Sequence, residues 1–466
     1  LTNAALSRLW NVFVICFALL AGRQLWLQTI AAHGIAQSGY DPRSALLSPY
    51  RGAIVARDGT ILAGSNMHGR FYPFGRELAQ TLGYASPRYG SAGLEGAFDR
   101  ELSASNGAND PLTQLKAIFG NKRQPRGATI VSTIDPVVED ALYVALHAYA
   151  RAAGAVIDPR NGDILALASI PSFDPETLDR DFATLRVDEN SALLNRAIDG
   201  LYPPGSTFKI FTAASALQDG VVTPEATFDD PGFYQVDHFI VQDNEGEATG
   251  TRDLIGAFAL SSNVDFAQIA LRLGAHRWFE SAAKWGLGRP LGLELPAQTD
   301  RLPARASVTP SILAQLGFGQ ADLLVTPLRM ALIAATIADG GAQPHPRLVR
   351  SIREPNGSQR SIAHAAPTQP ISKQTAAAVR TMMEATVEWG TGTAAALPGV
   401  SVAGKTGTAT NSAGKSHAWF VAFAPAQAPR VALAIIVENA GYGGTYAAPI
   451  ARRVLAAALG GATAGP

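Results

Sequence analysis

The chain has 466 residues, 47% hydrophobic and 16% charged, a globular composition long enough for two or three domains. Its 38 basic and 38 acidic residues cancel to a formal net charge of zero, and no long basic run argues for a nucleic-acid partner. The one cysteine, Cys16, excludes disulfides within the chain and CxxC sites, and the eight histidines show no HExxH or paired spacing, so no metal or cofactor is expected.

The first feature in chain order is the apolar stretch Leu9–Gly22 (LWNVFVICFALLAG), set between Arg8 and Arg23. It is shorter than the roughly 20 residues of a membrane span, but reaches that length through Leu25-Trp26-Leu27 if Arg23 extends toward the headgroups. A membrane anchor over residues 1–27 is the expectation, with a cleaved signal peptide and a buried core helix as alternatives. Next, RGAIVARDGTILA (Arg51–Ala63) reads as a hairpin turning at Asp58-Gly59. Glycine, proline and asparagine punctuate the chain onward to about Arg126, and Tyr84–Leu102 ends in a short helical pattern. Residues 28–127 are read as a small, extended, mostly non-catalytic module.

Residues 128–466 carry longer elements. A second hairpin, Gly154–Ala168, turns at Asn161-Gly162 between largely apolar strands, as expected for buried sheet. Helical patterns cover Thr207–Gln218, Arg252–Gly274 and the nearly all-apolar Thr326–Ala338; Ala418–Ala424 and Val431–Val437 read as strands and Tyr446–Leu459 as a closing helix. The layout is α+β, a mixed sheet with a helical cluster.

Three short motifs bear on chemistry. Pro203-Pro204-Gly205 ends an extended segment, so Ser206 is expected at a helix N-terminus and Lys209 one turn later on the same face. A lysine desolvated there loses its proton and serves as base toward Ser206. The plain alternative is an N-cap serine and a surface lysine; Ser281-Ala-Ala-Lys284 and Ser412-Ala-Gly-Lys415 repeat the pattern. Ser261-Ser262-Asn263 lies inside a predicted helix, where Ser261 would relay a proton between Lys209 and a leaving group and Asn263 would hold a substrate carbonyl. Both residues are equally readable as internal hydrogen-bond partners. Lys405-Thr406-Gly407 continues a strand from Val400 and Val402. Lys405 and the hydroxyls of Thr406 and Thr408 would grip a carboxylate, Gly407 would admit a ligand backbone, and the N–H groups of Thr408 and Ser206 would form an oxyanion hole. The alternative is a solvated edge strand. Whether Lys209 or Ser261 takes the first proton is open at this stage.

Gly399–Thr406 also matches the nucleotide-binding pattern GxxxxGK[ST] letter for letter. A phosphate loop needs a helix directly after it, whereas Gly407 and a turn-then-strand pattern follow here.

Taken in order, Tyr202-Pro-Pro-Gly-Ser206-Thr-Phe-Lys209, Ser261-Ser-Asn263, Gly404-Lys-Thr-Gly-Thr-Ala409 and His417–Pro425 resemble the active-site segments of the penicillin-binding proteins. RGAIVARDGTILA and LGYASPRYGSAGLEGAFDREL resemble parts of that family's N-terminal module. The similarity is to the class B, monofunctional type: an anchor (1–27), a pedestal or dimerisation-like module (28–127) and a transpeptidase domain (128–466). The resemblance implies peptidoglycan D,D-transpeptidation through a Ser206 acyl-enzyme with release of D-alanine, blocked by β-lactams. Catalytic roles would fall to Ser206, Lys209, Ser261, Asn263 and Lys405, and substrate binding to Thr406, Gly407 and Thr408. It further implies stem-peptide substrates, a membrane glycan polymerase as partner, no cofactor, and a single-pass protein of the bacterial cell membrane with its catalytic domain outside the cytoplasm. A serine β-lactamase and a β-lactam sensor are the nearest alternatives, and a P-loop hydrolase a remote one.

Overall fold

The computed structural model describes residues 3–29, 50–103, 126–243, 248, 250–411 and 413–460. Helix α1 (Asn3–Thr29) contains the apolar stretch, and its side chains Trp10, Phe13 and Phe17 are exposed, which sets aside the buried-core-helix alternative. Among the described residues no helix is long and apolar enough to cross a membrane.

The first hairpin forms as expected, from β1 (Ile54–Val55) and β2 (Ile61–Asn66), and β3 (Gly69–Phe71) extends it. A smaller hairpin, β4 (Tyr84–Ser86) and β5 (Gly90–Ala92), precedes two short helical turns, Gly93–Ala97 and Asp99–Leu102. The first sheet is completed from far along the chain. Strand β6 (Thr129–Ser132) runs parallel to β1, and β13 (Val349–Arg353) with β14 (Gln359–Ser361) adds to the other edge of β6.

The second sheet has the order β15-β16-β17-β7-β8, built from β7 (Ala152–Ile157), β8 (Ile164–Ile170), β15 (Ala403–Thr410), β16 (Ser416–Ala424) and β17 (Val431–Val437). A mixed sheet is the expectation, but every pair here is antiparallel: hairpins join β7 to β8, β15 to β16 and β16 to β17, and β17 pairs antiparallel with β7 from far along the chain. Strands β7, β8, β16 and β17 read as largely apolar runs because both faces of the sheet are covered. On β17, Ala432, Ala434 and Ile436 enter the core beneath α7 (Pro327–Ala338), while Val431, Leu433, Ile435 and Val437 enter a second core with α2 (Pro136–Leu146) and α9 (Gly443–Ala458). The near-featureless helix Thr326–Ala338 is thus central, capped at its start by the Thr326 hydroxyl accepting from the Arg329 N–H.

Five further helices pack on the α7 side: α3 (Lys209–Gln218), α4 (Leu254–Ala259), α5 (Asn263–Lys284), α6 (Pro310–Gly317) and α8 (Lys373–Glu388). Strands β9 (Thr227–Asp230) and β12 (Gly250–Asp253) pair with each other, as do β10 (Phe233–Val236) and β11 (Phe239–Gln242). The continuous helix expected over Arg252–Gly274 is instead two helices. Ser261 sits in the left-handed region at φ 66°, which ends α4, and the Ser262 hydroxyl then caps α5 by accepting from the Asp265 N–H at 3.0 Å. A second break follows at Gly274, φ 78°.

Candidate active site

Gly205, at φ 54°, turns the chain from Pro203-Pro204 into a single 3₁₀ turn, Gly205–Phe208, that runs straight into α3. Ser206 is half-buried in that turn, and Lys209 is fully buried at the start of the helix. The turn is clamped from two sides. The Thr207 hydroxyl donates to the Pro204 carbonyl at 2.7 Å, and the Trp419 indole N–H on β16 donates to the Pro203 carbonyl at 3.1 Å.

The break between α4 and α5 brings the second motif to the lysine. Lys209 Nζ donates to the Ser261 carbonyl (2.5 Å) and to Asn263 Oδ1 (2.9 Å), and lies 3.3 Å from Ser261 Oγ. A helix continuing through Ser261 would have committed that carbonyl to its own ladder; the left-handed turn frees it for the ammonium.

The third motif lies on β15, the edge strand of the second sheet. Lys405 Nζ donates to Ser261 Oγ at 2.8 Å and to the Thr406 carbonyl at 3.2 Å. Ser261 Oγ therefore stands between two buried ammonium groups. The same strand touches the turn of Ser206. A Cβ on Gly407 would stand 2.8 Å from Thr207 Cγ2, so the close approach expected of a ligand at Gly407 is made by the protein's own 3₁₀ turn.

The third motif does not act as one unit. Thr408 reaches the cavity that Ser206 and Asn263 line, a cleft of about 460 Å³. Thr406, expected to face a carboxylate, is buried and its hydroxyl pairs with that of Thr391 at 2.6 Å, while Lys405 is wholly buried. The structure thus brings Ser206, Lys209, Ser261, Asn263 and Lys405 together, with Thr408 at the cleft and Thr406 and Gly407 in supporting contacts. The phosphate-loop alternative fails on its context: Lys405 and Thr406 lie within β15, which runs to Thr410 and is followed by a turn and β16. Ser281 and Lys284 of the first repeated pattern lie on α5; Ser412 of the second lies outside the described residues.

Among the described residues, no carboxylate forms an ion pair with either lysine. Burial pushes the Lys209 ammonium down to about 7, against the opposing pull of Asp243, Asp265 and Asp230. Burial, and then the neighbouring positive charge of Lys209, holds Lys405 well below its ordinary value. Each ammonium also faces an aromatic ring, Lys209 at 5.4 Å from the Phe266 centroid and Lys405 at 5.5 Å from that of Phe258. The arrangement places a buried amine three residues after Ser206, in contact with Ser261 and poised to lose its proton near neutral pH.

Several cleft residues escaped the sequence reading: Phe239, Gln315, Gln320 and Tyr442 on its walls, Thr391 behind Thr406, and Asp243 behind Asn263. Gln315 lies on α6 and the others at strand ends or in loops, none with a local signature, and only the tertiary fold assembles them.

Comparison with known proteins agrees with this geometry. Residues 152–456 match the penicillin-binding protein transpeptidase domain, and residues 51–130 the penicillin-binding protein A dimerisation domain. The peptidoglycan D,D-transpeptidase PbpA of Mycolicibacterium smegmatis is 36% identical over 98% of this chain and 99% of its own length. PbpA of Mycobacterium tuberculosis is also 36% identical, over 98% of this chain and 99% of its own. Among solved structures, the imipenem acyl-enzyme complex of penicillin-binding protein A from M. tuberculosis superposes with a TM-score of 0.81 at 34% identity, covering 89% of this chain and 100% of that one. The chain belongs to the class B penicillin-binding proteins, a family of peptidoglycan D,D-transpeptidases.

Proposed function

We propose that the protein is a peptidoglycan D,D-transpeptidase in which Ser206 is the nucleophile and Lys209 its base. The observation that carries this reading is Ser261 Oγ held between Lys209 and Lys405, beside the turn that bears Ser206. Lys209, neutral for part of the time near pH 7, takes the Ser206 hydroxyl proton as Oγ attacks the carbonyl of the D-Ala-D-Ala bond in a stem peptide. The bond to the terminal D-alanine breaks, and its nitrogen receives a proton through Ser261, leaving an acyl-enzyme. An amino group of a neighbouring stem peptide then attacks the ester, returns its proton to the Ser206 oxygen, and forms the cross-link. The Lys405 ammonium keeps Ser261 oriented and adds positive potential for the donor's carboxylate, which the Thr408 hydroxyl at the cleft contacts. The Asn263 amide orients the donor. A β-lactam follows the same first step and stays bound, because its opened ring is not released.

The sequence divides by this reading into an anchor (1–27), a pedestal or dimerisation-like module (28–127) and a transpeptidase domain (128–466), in a single-pass protein of the bacterial cell membrane with its catalytic domain outside the cytoplasm. Apolar exposed side chains on α1 support an anchoring role for that helix. A membrane-embedded glycan polymerase supplies the nascent strands that such an enzyme cross-links.

The test is intact-mass analysis of the full chain in detergent with benzylpenicillin, followed by peptide mapping. The reading requires a lasting adduct on Ser206; rapid drug hydrolysis with no adduct would point to a β-lactamase, and no reaction at all would refute the reading.

A further inference from the structure

Helix α5 begins at Asn263, and its first N–H groups need acceptors. Ser262 supplies one to Asp265. The other two come from outside the helix. A single oxygen of Asp243, Oδ1, accepts from the N–H of Asn263 and, at 3.2 Å, from that of Val264. The residue before it, Gln242, offers its carbonyl to Asn263 Nδ2 at 3.0 Å. Gln242 ends strand β11 and Asp243 directly follows it; Phe239 of the same strand lines the cleft. Asn263 is therefore gripped at its backbone and at its amide nitrogen. Its one remaining polar atom, Oδ1, is aimed at Lys209 Nζ at 2.9 Å.

We infer that Asp243 is a positioning residue for the acylation step: by holding the Asn263 backbone it fixes the amide that orients Lys209. An N-cap alone would be satisfied by any acceptor near the helix start. Here the cap falls on the residue that touches the lysine, and the neighbouring carbonyl sets which end of the amide faces it. Swapping oxygen and nitrogen of Asn263 would present N–H to N–H at Lys209 and carbonyl to carbonyl at Gln242.

The charges around Asp243 indicate which property matters. Asp230 at the end of β9 lies within hydrogen-bonding reach of it, Asp265 of α5 and Lys209 of α3 are near, Arg252 stands beside Asp265, and Lys405 lies beyond Lys209. Burial and the bond to Asp230 push the Asp243 carboxyl up to about 7. A carboxyl–carboxyl hydrogen bond requires a proton on one partner. Asparagine reproduces that arrangement, with its amide N–H toward Asp230 and its oxygen toward the helix. On this inference the position of the acceptor, which asparagine keeps, matters more to acylation than the charge that Asp243 lends Lys209.

The inference rests on the acyl-enzyme reading above, and wild-type protein tests that reading separately. The experiment is the rate of acylation of the full chain by a fluorescent penicillin for wild type, Asp243→Asn, Asp243→Glu and Asp243→Ala, with thermal melts to confirm folding. The expected result is a rate within about threefold of wild type for Asp243→Asn, and losses of about tenfold or more for Asp243→Glu, whose acceptor is displaced by one methylene, and for Asp243→Ala. Rescue by the isosteric amide is what separates positioning from general stability. If Asp243→Ala does not fold, the order of the other two decides. Wild-type rate in Asp243→Ala, or a charged Glu faster than a neutral Asn, would overturn the inference. Failure of the wild type itself to acylate would instead count against the enzyme reading.

Discussion

Two of the regions that bury positive charge treat it in opposite ways. In the N-terminal module, Arg51 is buried against Glu95 with bonds of 2.8 and 2.9 Å and also reaches Asp99 at 2.7 Å; Arg70 adds a third grip on Glu95 at 2.6 Å. At the cleft, Lys209 and Lys405 are equally buried but meet carbonyls, an amide and a hydroxyl. Guanidinium groups do not give up protons, and a carboxylate partner locks them further. Ammonium groups held only by neutral acceptors gain hydrogen bonds without full compensation for lost water, so their protons leave more easily. The contrast teaches that burial by itself does not make a functional site; burial of a titratable group without its counter-charge does.

The largest expected effect attacks the cleft side of that contrast. Lys209→Ala removes the base and should slow acylation by roughly 10²–10⁴-fold in a protein that still folds. A penicillin-labelling rate equal to wild type would show that another group takes the proton.

The pedestal side should respond in stability instead. Glu95→Ala leaves Arg51 and Arg70 buried without their shared carboxylate, and a loss of about 3–5 kcal/mol in chemical denaturation is expected. The acylation rate of the folded fraction should stay as it was. If stability were unchanged and acylation fell, the two regions would not be separable in the way described.

A smaller effect sharpens the picture within the cleft. Thr408 lines the cavity whereas Thr406 is turned to Thr391. Thr408→Val should weaken affinity for donor analogues bearing a carboxylate by about tenfold, with little change in melting temperature. Affinity unaffected by the change would take that hydroxyl out of recognition.

Much of this was legible in the sequence, for reasons that differ by element. The two hairpins announce themselves through Asp58-Gly59 and Asn161-Gly162, and the long strands β16 and β17 through unbroken apolar runs. Ser206, Lys209, Ser261, Asn263 and Lys405 stand out by motif order; hydrogen bonds link the last four, and Ser206 lies in the turn that leads into Lys209. The helix over Arg252–Gly274 was misread because its apolar periodicity passes through Ser261, where one left-handed residue breaks the helix without a glycine or proline to mark it. The all-antiparallel second sheet was missed because pairing of β7 with β17 joins distant segments. Asp243 and Thr391 carry no local signal; their partners lie in other elements.

The central claim is that Lys209, buried and hydrogen-bonded to neutral acceptors with carboxylates only at a distance, is the base to Ser206. Its most direct test is the second-order rate of Ser206 acylation by a penicillin, followed across the range in which the fold is stable. Protonated Lys209 cannot accept, so the rate should be low in acid, rise through a midpoint near pH 7 and level off above it. A rate that kept climbing toward the ordinary lysine value of 10.5 would mean that burial does not depress the ammonium, and would contradict the account.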